Sequence, residues 1–178
     1  MGLPSEPVRV KLITGLISGS RSGLIKAQEL LTASFGCADL VSRELPFGHT
    51  SYYDREHGGG LKKVFISFKG LIANENIEDI KLRTNYIEKE LSSGGKRTVN
   101  VDPGYLELSK LVLLTTKNYT HRIHLGKGIY AEVTLVFKGR SFHPLEWTYP
   151  DYRTKEYIDI INRIRDIYRS QAKGVEEP

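Results

Sequence analysis

One tight turn limits this chain's folding more than any other feature. In the run HRIHLGKGIYAEV, two alternating segments flank Gly126-Lys127-Gly128. They pair as an antiparallel hairpin, and the loop length decides which residues meet. A two-residue loop, Gly126-Lys127, sets His124 against Ile129 and Ile123 against Tyr130, a polar group opposite an apolar one each time. A three-residue loop pairs Leu125 with Ile129, Ile123 with Ala131, His124 with Tyr130, Arg122 with Glu132 and Thr120 with Thr134. The second register separates the faces, and Gly128 can take the left-handed position that such a loop needs. The sequence thus predicts one polar row: Thr120, Arg122, His124, Tyr130, Glu132 and Thr134.

That row lies in the chemically richest part of the chain. Residues 116–153 hold three of the five histidines and the one tryptophan. A cross-strand Arg–Glu pair adds about 0.2–1 kcal/mol to a sheet. A polar sheet face is often no more than a solvated one. Alternatively, the row floors a cleft in which Arg122 and Lys117 grip an anion and Glu132 or His124 moves a proton, with Tyr130 beside them. An odd offset sends His121 and His124 to opposite faces, so they do not share a metal, and the ligand spacing matches no zinc pattern. No metal is predicted.

Upstream, periods of two and of 3.6 alternate. Strands are predicted at 8–16, 40–47, 61–68 and 98–101. One helix runs from a Ser20 or Ser22 cap to about Ser34, with Leu24, Leu30, Leu31 and Phe35 on its stripe and Gly36 as its stop. A second runs over 75–91 with Asn74 as cap and Ile77, Ile80, Thr84, Ile87 and Leu91 on one side. The order β-α-β-β-α-β suits an α+β fold, a ferredoxin-like sandwich with its helices on one side of the sheet. A helix or strand follows at 105–114, then the hairpin and a long terminal helix over 154–172. Its stripe is Tyr157, Ile160, Ile161, Ile164 and Ile167, and Trp147, Tyr149 and Tyr152 are expected to pack it on the sheet. One domain covers 8–172, between a flexible 1–7 and a frayed 173–178.

Composition narrows the class. At 178 residues, 39% hydrophobic and 26% charged, the chain can bury one sizeable core. The longest apolar runs are short, so no bilayer span is expected. MGLPSEPVRV lacks the charged-then-apolar pattern of a secretory signal, so none is expected, and Glu6 stands where a myristoylation motif needs Ser or Thr. The lone Cys37 cannot form an internal disulfide, which suits a reducing, cytoplasmic setting. A net charge of +5 is compatible with an anionic or nucleic-acid partner.

Three other segments offer chemistry. In VNVDPGYL, Asp102 reads as an N-cap with Pro103 at the first helical position. The functional alternative is a carboxylate at a strand end beside a phosphate-binding helix terminus, with Tyr105 to stack or donate. GLISGSRSG has the place of an anion-binding turn without a P-loop or dinucleotide spacing. The loop HTSYYDREHGGG, from Tyr52 to His57, has the composition of a binding loop, and Tyr52 is a candidate ligand contact.

The segments NVDPGYL, KLVLLTTKNYTHRIHLGKGIYAEVTL and EWTYPDYR, with YYDREHG and IKLRTNYIE upstream, resemble a bacterial family catalogued as domain of unknown function 4416. The resemblance spans nearly the whole chain. It implies a small, stand-alone cytosolic protein and brings no established activity. The residues themselves point to a single domain that binds a small anionic or nucleotide-like ligand, through Arg122, Lys117, Tyr130, Tyr105 and Tyr52. Glu132, His124 and Asp102 are the candidates for acid–base work. The alternative is a non-catalytic RNA- or protein-binding module with a basic, tyrosine-rich surface.

Overall fold

The two periods resolve into one antiparallel sheet with helices on both faces. A computed structural model describes residues 2–3, 6–48 and 60–173. Among them are nine strands: β1 (Val10–Ser18), β2 (Ala38–Val41), β3 (Leu45–Pro46), β4 (Lys62–Ile72), β5 (Asn100–Leu106), β6 (Lys110–Thr115), β7 (Ile123–Gly126), β8 (Ile129–Lys138) and β9 (Ser141–Pro144). Three α-helices accompany them: α1 (Arg21–Phe35), α2 (Glu78–Glu90) and α3 (Lys155–Lys173). The main path of the sheet is β2-β4-β1-β5-β6-β8-β7, with β3 on β4 and β9 on β8. The chain is thus a single α+β domain.

The expected four-stranded core with a hairpin and helix appended undercounts the sheet. Strands β6 to β9 continue it beyond β5, so its order is not that of a simple ferredoxin-like sandwich. The helices also fail to keep to one side. Leu24, Ala27 and Leu31 of α1 and Ile87 of α2 pack on Leu12, Leu16, Val64, Ile66 and Phe68. Tyr157, Ile160, Ile161, Ile164 and Tyr168 of α3 cover Ile13, Phe65, Leu113 and Leu135 on the opposite face. Both faces of β1 are therefore covered, and all nine of its residues are buried. Each fully buried Leu, Ile or Phe adds about 1.5–3 kcal/mol.

Local signals set several boundaries. Ser20 caps α1 by accepting from the Gly23 N–H at 3.2 Å, and Gly36 ends it at φ +91°. Helix α2 begins three residues later than expected, after a turn through Asn76 at φ +55°, and no side chain caps it. The predicted strand at 40–47 breaks into β2 and β3. Residues 105–114 hold the end of β5, a short turn and most of β6 and not a helix, and Asp102-Pro103 lies inside β5, so the N-cap reading of Asp102 is wrong. No helix among the described residues is long and apolar enough to cross a membrane.

The hairpin keeps two predicted pairs, Ile123 with Ala131 and His124 with Tyr130, but Gly126 and not Leu125 stands opposite Ile129. Gly126, Lys127 and Gly128 all have positive φ, so the loop is shifted by one residue. Burial does not follow the two predicted faces. Ile123 is 71% exposed, while Glu132 and Thr134 are buried. The cause is residues 145–152, which fold over β8. The Thr148 hydroxyl donates to the Thr134 carbonyl, and the Trp147 indole N–H to that of Val133, at 2.8 Å.

Candidate anion site

The site begins where the sheet splits. Strands β5 and β6 pair only from Gly104 to Leu106, opposite Leu113 to Leu111. The Val101 N–H donates to Glu88 Oε1 at 2.6 Å, and the Val101 carbonyl accepts from Lys81 Nζ at 3.0 Å. Val101 therefore presents its backbone to α2 and not to β1. Residues two apart on a strand present their backbone groups the same way. Pro103 thus also turns away from β1, toward β6, and has no N–H to continue the ladder. At the last paired position, the backbones crowd: a Cβ on Gly104 would lie 2.3 Å from the Val112 carbonyl oxygen. Beyond it β5 and β6 diverge, and the buried Lys81 and Glu88 serve as Val101's partners.

A cavity of about 390 Å³ fills this wedge. Asn100 and Asp102 line it from β5, Leu114 and Thr115 from β6, and Glu132 from β8. Five cationic side chains (Lys63, Lys81, Arg97, Lys117 and Arg122) face it with three carboxylates, Asp102, Glu132 and Asp151. Arg122 Nε donates to Glu132 Oε2 at 2.7 Å, Nη1 to the Lys117 carbonyl at 2.9 Å and Nη2 to the Tyr149 hydroxyl at 2.8 Å. Burial works against the Arg122 charge, but the hydrogen bond and charge of Glu132 outweigh it and raise the guanidinium's pKa. His121 Nε2 lies 3.1 Å from the same Glu132 oxygen, because His121 sits in a turn and not on β7.

Lys63 is almost fully buried, with Nζ 2.8 Å from Asp151 Oδ2 and 4.3 Å from the centre of the Tyr152 ring. Gly15 leaves it room, since a Cβ there would stand 3.0 Å from Lys63 Cε. Burial pushes the Tyr152 phenol well up, helped by the charge of Asp151. Behind the wall, burial raises the pKa of the Glu88 carboxyl, against the opposing charge of Lys81 and the Val101 N–H. Asn100 is 4% exposed, and its Nδ2 has no hydrogen-bond partner among the described residues.

The structure divides the sequence candidates. Arg122, Lys117, Glu132 and Asp102 meet at the cavity. His124 and Tyr130 contact each other at the hairpin end, ring centres 5.1 Å apart, and do not line it. Tyr105 packs beside Ile77, Leu114 and Ile129 on the α2 side. Tyr52 lies outside the described residues. Of the expected aromatic packing, only Tyr152 joins the core under α3; Trp147 stacks on His121 at 5.1 Å, and Tyr149 lines the cavity.

Lys63, Lys81, Asn100 and Asp151 were not anticipated. Their signal was present: Lys63 shares the period of Phe65, and Lys81 and Glu88 fall on the apolar stripe of α2 with Ile77 and Thr84. A charge at an inward position needs a partner there. Among the described residues, no group of three or more His, Cys, Asp or Glu side chains could hold a metal ion.

The model of one protein family, described as a domain of unknown function (DUF4416), matches residues 8–168. No curated protein and no solved structure matches the chain.

Proposed function

The chain belongs to the DUF4416 family, whose description carries no activity, and from the geometry we propose that it binds a small anionic or nucleotide-like ligand in the β5–β6 wedge. The supporting observation is that five cationic side chains face one cavity with three carboxylates. Two of the cations are neutralised within the lining, Arg122 by Glu132 and Lys63 by Asp151. Glu88 offsets part of the charge of Lys81 and Arg97 from behind, and Asp102 is the third carboxylate of the lining. Arg122 has used three of its five N–H donors and can offer two more. The volume falls within the range of about 300–1,000 Å³ common for small-ligand sites.

In this reading, Glu132 orients Arg122 and Asp102 is the carboxylate free to take part in proton transfer. The fold reading goes one step finer as well. Strands β1 and β2 are both antiparallel to β4, which lies between them, and β4 and β5 flank β1 in the same way. Two interlocked split β-α-β units, with α1 and α2 on one face, support a ferredoxin-like core inside the larger sheet.

A thermal-shift titration with pyrophosphate and mononucleotides tests the binding reading. Stabilisation that grows with ligand concentration is expected, with a weaker response in Lys117→Ala. No shift with any of these ligands would sink it. The exposed Tyr119, Trp147 and Tyr149, beside Arg122, favour a second reading, stacking of single-stranded RNA. Salt-sensitive binding of an RNA oligomer in the same assay, without any response to mononucleotides, would decide for that alternative.

A further inference from the structure

Two polar groups facing the wedge have no partner among the described residues. One is the Asn100 amide donor, buried and unpaired. The other is the half-buried Asp102 carboxylate, which has no hydrogen bond or ion pair among the described residues. They lie two residues apart on β5, so their side chains share a face, about 7 Å from one to the next. Asp102 is close enough for its charge to act on both Glu88 and Tyr152, which places it in the wall between the two sides of the wedge.

This pair conflicts with a bare anion. The cations attract it, while Asp102 repels it from the same space and offers only acceptors. The conflict disappears when the anion carries hydroxyl groups. A hydroxyl donates to a carboxylate and accepts from an amide, so neighbouring hydroxyls satisfy Asp102 and Asn100 together while the charged end meets the lysines and arginines. Resting on the anion-site reading above, we infer that the ligand is a hydroxyl-bearing organic phosphate of the sugar- or polyol-phosphate class. Asp102 is the residue that selects it over inorganic phosphate, and Asn100 fixes the orientation.

Calorimetric titration of the intact protein with inorganic phosphate, glycerol 3-phosphate and ribose 5-phosphate tests this. Ribose 5-phosphate should bind at least about tenfold more tightly than inorganic phosphate, the scale of one hydrogen bond to a charged group. Asp102→Asn should bring that ratio close to one, by weakening ribose 5-phosphate and, with the repulsion gone, by tightening inorganic phosphate. Asn100→Ser, a second variant should the first not fold, should lower the same ratio. A wild-type ratio near one, or equal losses for both phosphates in the variants, overturns the inference and leaves the anion site standing. No binding of any of the three phosphates overturns both.

Discussion

Arg122 holds three parts of the molecule at once: Glu132 on β8, the Lys117 carbonyl before β7, and Tyr149 in the segment that covers the sheet. Its side chain is 8% exposed and that of Glu132 2%. Arg122→Ala leaves a buried carboxylate with His121 as its remaining ring partner, and should cost about 3–5 kcal/mol in urea unfolding. Arg122→Lys should recover only part of this, because an ammonium lacks the planar fork that reaches three acceptors. A loss below 1 kcal/mol for Arg122→Ala would mean the contacts are incidental. The Arg122–Glu132 contact follows from strand alternation and the His124–Tyr130 register, which the hairpin keeps although its loop is shifted. That it is buried does not, because covering it took Thr148 and Tyr149 from another part of the chain.

At the scale of elements, the wedge between β5 and β6 depends on Pro103 and Gly104. Gly104→Ala forces a Cβ to within 2.3 Å of a backbone oxygen and 2.9 Å of Leu113 Cδ2. The nearer neighbour is backbone and cannot turn aside as a side chain could, so the strands must separate, at about 1–3 kcal/mol. The measurable result is a lower melting temperature, together with faster amide exchange at Val112 and Leu113. Unchanged melting would show that the closest approach is not where the two strands touch. The dipeptide Asp-Pro also fits a helix start, and only its neighbours on either side decide. Flanked by β1, residues 100–106 are held extended, and the missing N–H of proline opens the sheet on the β6 side where, read as a helix start, it would have capped a helix.

Across the whole molecule, a second buried network ties β1 and β2 to the end of α3. Lys11 is fully buried and bonds to Asp39 and, at 2.7 Å, to Gln171 Oε1, while the Ser67 hydroxyl donates to Asp39 at 2.6 Å. Burial alone raises the pKa of Asp39, but the bonds from Lys11 and Ser67 outweigh it and leave the carboxyl below its ordinary value of 3.8. A carboxylate depressed in the folded state stabilises fully above its unfolded pKa and loses that contribution as pH falls through the folded value. Stability should thus decline below about pH 4, and Asp39→Asn should flatten that part of the profile while lowering stability at pH 7. Glu88 acts oppositely. Its raised carboxyl makes ionisation costly as pH climbs past 4.5, so Glu88→Gln should remove a small fall in stability above that pH. Equal acid limbs for wild type and Asp39→Asn would refute the assignment.

The sequence by itself determined the three long helices and most of the strands, the α1 caps, the apolar stripes and the Arg122–Glu132 contact. All of these are local, set by side-chain period and turn chemistry within about twenty residues. Only the tertiary structure decided that the sheet is covered on both faces, that the polar row is buried at one end and exposed at the other, and that Lys63, Lys81 and Asn100 meet Arg122. Burial and convergence depend on partners distant in the chain, such as Lys63 with Asp151 and Lys11 with Gln171. Neither periodicity nor spacing records those distances.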